Sequence, residues 1–417
     1  ILVTPYTDEK SCIRVPDKVL HINMSESMFY NNLDYVLLSL CLVLNIDVFV
    51  GFHNLIDKIL DFYLIAQNFK VKTVASNHEY YFYPFLRKNL HKSAYKRDLV
   101  FNSVDAVVNL TNFSAFAYSR SHSNGYLIPN PNTFDPQIQK NASRSNDILC
   151  VGRFNDYIKR IDKILSVFRK ILNKRPNSKL VLVGKCDKDI KMWDYGEKSI
   201  VDMMNQLDIP EDKVLFIGEI LDIKEYYKSA KVLLLTSDNE GFPMVVNEAF
   251  SFGLPVVSTF YPGIEDLVKD GVNGFVIHDG DIDTIAEKVL LILENNHLQE
   301  KLGRNAIEIV KNFDKDVINA KWKSLITSLL ECESHLSSKL RLTEDLSYHI
   351  KDFNEASSLL SAEWFKVFSL SLEEEQKYIG SCVSDLPENN FRKQWWLNYR
   401  TKILDKIDRY FYSVRYK

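Results

Sequence analysis

Residues 236–259 read TSDNEGFPMVVNEAFSFGLPVVST and follow the apolar run KVLLL. An apolar run that breaks into a polar turn, then a short helix-like stretch, then a second apolar run, PVVST, is a strand–helix–strand unit. Two glutamates stand in it eight residues apart: Glu240 precedes a Gly-Phe-Pro turn, and Glu248 falls in the second turn of a short, largely apolar helix. A carboxylate on a mostly buried helix requires a partner. With Pro243 at the first helical position and Gly241 permitting a tight turn, the free amides of Met244 and Val245 point outward with the helix dipole behind them, which makes an anion site. Glu248 then lies about 7 Å further along the axis, at roughly 1.5 Å per residue. That is close to the span from a pyrophosphate to a ribose, whose cis-diol a carboxylate can accept from. The expectation is a nucleotide-linked sugar with its ribose on Glu248, its sugar facing Glu240, and its phosphates at the helix end formed by Gly241, Phe242, Pro243, Met244 and Val245. Taken alone, Glu240 reads more readily as a solvated loop residue and Glu248 as the partner of a surface Arg or Lys. Their joint placement around the helix start carries the functional reading.

Outward from this unit, short β-branched runs alternate with helical segments, the pattern of parallel sheets covered on both faces. KVLHINM, DVFVGF, KTVASN, DAVVNL and GYLIP are expected strands in the first part, and ILVTPY reads as the end of another. DILCVGR, SKLVLVG, KVLFIG, KVLLLTS, PVVST and NGFVI follow in the second part, interleaved with helix-like stretches such as IDKILSVFRKIL and DTIAEKVLLIL. The polar, aperiodic stretch 135–147 reads as a linker. The domain expectation is therefore residues 1–134, a linker at 135–147, a second α/β domain at 148–330, and a helical, aromatic and basic extension at 331–417.

The whole chain narrows the function classes. A formal net charge of -3 over 417 residues provides no global field for collecting nucleic-acid phosphates, so no nucleic-acid partner is expected. The six cysteines are scattered, without CxxC or zinc spacing, and fit reduced thiols in a cytoplasm. LDYVLLSLCLVLNIDVFV carries Asp34, Asn45 and Asp47 and reads as a buried helix feeding a strand, not a membrane span. Neither GxGxxG nor GxxxxGK[ST] occurs, which excludes the usual phosphate cradles of dehydrogenases and P-loop ATPases.

EGFPMVVNEAFSFGLPVVST resembles the Glu-x7-Glu segment of the retaining family-4 glycosyltransferases. VGRFNDYIKRIDKIL, residues 151–165, is similar to the same family's second signature, and the likeness continues through GVNGFVI and DTIAEKVLLIL, covering 147 to about 330. The resemblance implies a GT-B fold, two facing Rossmann-like domains with the donor nucleotide sugar on the C-terminal one and the acceptor on the N-terminal one. It implies that Arg153 and Lys159 neutralise the donor diphosphate, in keeping with the stabilisation that fixed cations give a leaving diphosphate. It implies no metal and no cofactor beyond the nucleoside-diphosphate sugar itself, with UDP and GDP both open. The Asp187/Asp189 and Asp281/Asp283 pairs read as a loop and a helix cap.

In the N-terminal half, SNHEYYFYPF places His78 just after the strand KTVAS, at a strand end where open α/β sheets present ligands. The family has a His there, near acceptor and reacting sugar, and the resemblance carries that role to His78. YLIPNPNTFDP resembles the family's Ile-Pro-Asn segment, where Asn130 shapes the crossover. The family's opening strand and glycine-rich loop are not matched, since the first glycine is Gly51. Either the chain begins after them or this member has lost them.

The expected reaction is sugar transfer with retention at the anomeric carbon. The resemblance implies that the acceptor attacks on the face the diphosphate leaves, a phosphate oxygen taking its proton, with positioning and charge stabilisation in place of a nucleophile. Glu240 would orient the donor sugar. The resemblance implies a glycan or lipid-linked acceptor in bacterial polysaccharide, lipopolysaccharide or other glycoconjugate synthesis. A nucleotide-sugar epimerase of the same fold and an inactive GT-B-like partner of another transferase are the alternatives. The tail at 391–417 holds eight Lys and Arg against two Asp, and Trp396, Tyr399, Ile403, Ile407, Tyr410 and Val414 share one helical face. That face serves equally for packing on the N-terminal domain or for peripheral contact with an anionic membrane at the inner face of the plasma membrane.

Overall fold

The computed structural model describes residues 2–5, 21–24, 45–52, 71–78, 100–119, 124–137 and, except for 138–143, 146 and 279, those from there to 331. Single residues on intervening helices are also described. The extension beyond 331, including the basic aromatic tail at 391–417, lies outside the described residues. Two compact units result: one runs to Pro129 and takes in the last helix from Asn319, and the other is Asn130–Ile318.

The first unit has β1 (Leu2–Pro5) paired in parallel with β2 (His21–Met24). A four-stranded parallel sheet runs β3 (Val48–Phe52), β4 (Lys72–Asn77), β5 (Ala106–Asn109), β6 (Gly125–Leu127) in spatial order. β4 and β5 are buried almost throughout, as strands covered on both faces must be. Leu37, Cys41, Phe62, Tyr63 and Ala66 pack with Val107 and Tyr118 in the core, Tyr118 arriving on α1 (Asn112–Ser119). Leu37 and Cys41 are helical and buried, as the long apolar segment required.

The second unit is a six-stranded parallel sheet in the order β12-β11-β10-β7-β8-β9, with β7 (Asp147–Val151), β8 (Lys179–Val183), β9 (Val214–Gly218), β10 (Val232–Leu235), β11 (Val256–Thr259) and β12 (Gly274–Ile277). The order reverses beside β7, the topological switch at which open α/β sheets bind ligands beyond their strand ends. Its helices are α2 (Ile161–Lys174), α3 (Ile200–Gln206), α4 (Lys224–Ser229), α5 (Met244–Ser251), α6 (Ile282–Glu294) and α7 (Asn296–Val310), and the last helix, α8 (Lys315–Glu331), belongs to the first unit from Asn319 on. α2 buries Ile161, Ile164, Leu165, Phe168, Ile171 and Leu172, a three- and four-residue repeat that fixes one face on the sheet. Ser199 and Asp202 form a reciprocal capping box on α3. Asp281 caps α6 by accepting from Thr284 N–H, and Asp187 Oδ1 accepts from the amides of Asp189 and Ile190 within a loop.

Where it is described, the stretch read as a linker is bonded to the second unit. Arg144 donates to the carbonyls of Tyr227 and Ala230 at 2.8 Å and of Phe252 at 2.5 Å, closing the C-terminal ends of α4 and α5. Gln137 N–H donates to Ser251 O at 2.7 Å.

Candidate active site

Gly152 follows the end of β7, and a 3-10 turn, Tyr157–Lys159, leads to α2. The Lys159 stem lies over Gly152, where a Cβ would meet Lys159 Cε at 3.2 Å. Gly184, at the end of the neighbouring strand with φ 124°, approaches so closely that a Cβ would come within 2.2 Å of Gly152 O. Only glycine fits that position. The backbone ends of β7 and β8 thus leave room for Lys159 to cross them.

β10 delivers the loop that carries Glu240. Lys159 Nζ donates to Glu240 Oε1 at 2.5 Å, with both side chains largely shielded from solvent. The loop is fastened to the turn opposite: Asp238 N–H donates to Ile158 O at 3.0 Å, and Thr236 Oγ1 to Lys159 O and Arg160 O at 3.0 and 3.2 Å. Thr259 Oγ1, from the end of β11, holds Ser237 O at 2.9 Å. Tyr261 is fully buried, and burial followed by the charge of Glu240 pushes its phenol well above the usual range.

The helix start differs from expectation by one position. Pro243 is the N-cap, with ψ 81°, and Met244 opens α5. The Met244 amide, expected to be free, donates to Phe242 O at 2.9 Å because the chain turns tightly there. Val245 N–H enters no hydrogen bond among the described residues and stays available. Phe242 is buried against Phe313, ring centroids 5.7 Å apart, which anchors the loop from below.

Glu248, on the second turn of α5, accepts from Tyr227 OH at 2.7 Å through Oε2 and from Thr133 Oγ1 at 2.9 Å through Oε1. Both donors are neutral. Tyr227 is buried in α4 and stacked on Phe252 at 5.8 Å, with Phe134 against both rings. Its burial, then the charge of Glu248 and the hydrogen bond to it, raise the phenol well above its usual range and keep it a donor.

The structure therefore brings Lys159 and Glu240 into contact and sets Glu248 one helix turn beyond, with Gly241, Phe242, Pro243, Met244 and Val245 between the two glutamates. Arg153 stands apart on solvent, 72% exposed, paired with Asp156 at 3.4 Å. His78 belongs to the first unit. It follows β4, its Nε2 lies 3.1 Å from Ser76 Oγ, and its ring meets Phe52 edge-on at 5.6 Å. Among the described residues no group of three or more His, Cys, Asp or Glu could hold a metal ion.

Sequence reasoning missed Arg160, Asp238, Thr133 and Tyr227. Arg160 carries bonds to Asp162 and Asp238 and has φ 53°. A residue other than glycine in that conformation leaves no mark in the sequence. Thr133 was in view beside Asn130, but its partner lies 115 positions away.

Residues 131–309 match the family model for glycosyl transferases group 1. An uncharacterized glycosyltransferase of Haemophilus influenzae is 28% identical over 251 residues, 60% of this chain and 68% of that one. A GalNAc-alpha-(1->4)-GalNAc-alpha-(1->3)-diNAcBac-PP-undecaprenol alpha-1,4-N-acetyl-D-galactosaminyltransferase of Campylobacter jejuni is 28% identical over 229 residues, 54% of this chain and 60% of that one. The chain thus spans about two thirds of these relatives' length. Among solved structures, Anabaena HepE in complex with UDP superposes with a TM-score of 0.60 at 19% identity, covering 74% of this chain and 86% of HepE. That likeness and the four- and six-stranded parallel sheets give the fold, GT-B with Rossmann-like units. Over residues 131–309, somewhat under half of its length, the chain is similar to the glycosyl transferases group 1 family.

Proposed function

We propose that the chain is a retaining glycosyltransferase that moves a sugar from a nucleoside-diphosphate sugar to an acceptor hydroxyl, without a metal ion. The observation that carries this reading is the Lys159–Glu240 pair at the mouth of α5, with Glu248 eight residues on. The diphosphate would lie across the α5 start, on Val245 N–H and Lys159, the ammonium leaving Glu240 for the phosphate as the donor arrives. Glu240, freed of that partner, would accept from hydroxyls of the donor sugar and orient its anomeric carbon. Glu248, with one lone pair on each oxygen unused, would accept from the ribose diol. Arg153 is free to swing toward the departing diphosphate, and charge developing there is where fixed cations act most strongly. His78 would serve from the acceptor side.

UDP is the favoured donor nucleotide, a reading supported by the UDP in the HepE complex. The Campylobacter relative's name specifies an undecaprenol-linked glycan, and it supports a glycan or lipid-linked acceptor here. Among the described residues no helix is long and apolar enough to cross a membrane. A cytoplasmic enzyme meeting the membrane peripherally through 391–417 fits that acceptor.

Incubating the chain with UDP- and GDP-sugars, with and without lipid-linked glycan, tests the proposal. The expected result is nucleoside diphosphate release and an α-linked product from an α-linked donor, unchanged in excess EDTA. An altered sugar on an intact nucleotide would instead make the chain an epimerase. No reaction and no nucleotide binding would leave the inactive partner.

A further inference from the structure

Arg160 joins the Lys159-bearing turn to α2 with φ 53° and ψ 56°, a left-handed conformation that glycine adopts freely and other L-residues at a cost. Its backbone N–H closes the turn on Tyr157 O, a task glycine would perform equally well. What glycine lacks is the guanidinium. Arg160 Nε and Nη2 donate to the two oxygens of Asp162 at 2.9 and 2.7 Å, and Nη1 donates to both oxygens of Asp238 at 3.1 and 3.2 Å. The planar fork suits such paired carboxylates where lysine would not. Lys163 adds a second cation to Asp238 at 3.2 Å.

Asp238 stands two residues before Glu240, and Arg160 immediately follows Lys159. The guanidinium therefore ties the two segments whose tips meet in the Lys159–Glu240 pair. We infer that Arg160 is a positioning residue of the donor site, clamping the Glu240 loop against the Lys159 turn through Asp238 so that carboxylate and ammonium are held in register before a donor binds. It does not touch the reacting atoms. Persistence of a strained backbone is explained by what the surrounding structure gains from it, and here the gain is the clamp. This inference rests on the donor-site reading given above.

The test uses the full chain with UDP-glucose and UDP-N-acetylglucosamine as probes, following UDP release, UDP affinity and melting temperature. Arg160→Gly keeps the left-handed backbone and removes the fork. The expected result is a fall in kcat of roughly 10- to 100-fold, a much smaller change in UDP affinity, and a melting temperature close to the parent's. Asp238→Asn should reproduce the defect, and the double variant should be hardly worse than either single one, because both break one clamp. Should Arg160→Gly fail to fold, Arg160→Lys, which keeps the charge but not the fork, should show the same loss of kcat. An active parent with unchanged kcat in these variants, additive defects, or losses of kcat that track losses of stability would overturn the positioning role and leave the donor site standing. A parent that neither binds UDP nor releases it would overturn both.

Discussion

The Tyr227 phenol donates to Glu248 Oε2 at 2.7 Å from a side chain wholly withdrawn from solvent. A carboxylate restrained by an uncharged donor keeps its negative charge uncompensated and its orientation fixed. With Thr133 on the other oxygen, Glu248 would, on the donor-site reading, receive a ligand that brings hydroxyl protons.

Tyr227→Phe should therefore raise the donor KM while changing kcat little, since a ribose contact is alike in ground and transition states. A hydrogen bond to a charged group contributes roughly 1.5–3 kcal/mol, so KM should rise by about 10-fold or somewhat more. Glu248→Gln should act in the same direction. Steady-state kinetics with a UDP-sugar decide it. An unchanged KM in both variants removes Glu248 from the donor site.

Glu240→Gln should do the reverse, sparing nucleotide binding and losing turnover by about 10- to 150-fold, the equivalent of one charge-assisted hydrogen bond. Calorimetric titration with UDP beside single-turnover rates separates the two. Full turnover in this variant would end the case for Glu240 as the residue that orients the sugar.

Arg144→Ala should destabilise the second unit, because three carbonyls, of Tyr227, Ala230 and Phe252, lose their donor at once. At about 1 kcal/mol or more for each bond, the loss is about 3 kcal/mol. The expected drop in melting temperature is roughly 6–12 °C for a unit of this size. A drop under about 2 °C would mean that water replaces the guanidinium without loss.

Cys186 should resist alkylation at neutral pH. Burial, and then the charge of the adjacent Asp187, push its thiol up to about 11. A thiol reacts through its thiolate, of which only about one part in a thousand is present at pH 8 for such a value. Labelling of Cys186 by iodoacetamide, mapped by peptide mass, should accelerate as pH climbs toward 11. Rapid labelling at pH 7 would contradict the partial burial of this side chain.

The strands were legible because each lies in a short apolar run, often β-branched, set off by turn residues. KVLHINM, DVFVGF, KTVASN, DAVVNL and GYLIP contain β2 to β6, and the six runs of the second part contain β7 to β12. Glu240 and Glu248 were legible for a related reason: a carboxylate stands out against an apolar helix and a Gly-Pro turn. The details that failed to show are set by backbone torsion and by distant partners. Pro243 falls outside the helix because ψ reaches 81°, which composition does not encode. Tyr227 and Thr133 meet Glu248 only after α4, α5 and the chain after β6 have converged. Neither residue type announces such a meeting in a sequence rich in tyrosine.

The two hydroxyl donors on Glu248 imply a chemical filter. A site built around hydrogen bonds to a diol leaves one acceptor lone pair unmatched when a hydroxyl is missing, and such sites reject the deficient analogue far more strongly than an apolar pocket rejects a misfit. On the donor reading, Glu248 would thus tell a ribonucleotide from its 2′-deoxy counterpart, keeping the enzyme off the deoxynucleotide pool with no contact to the base at all.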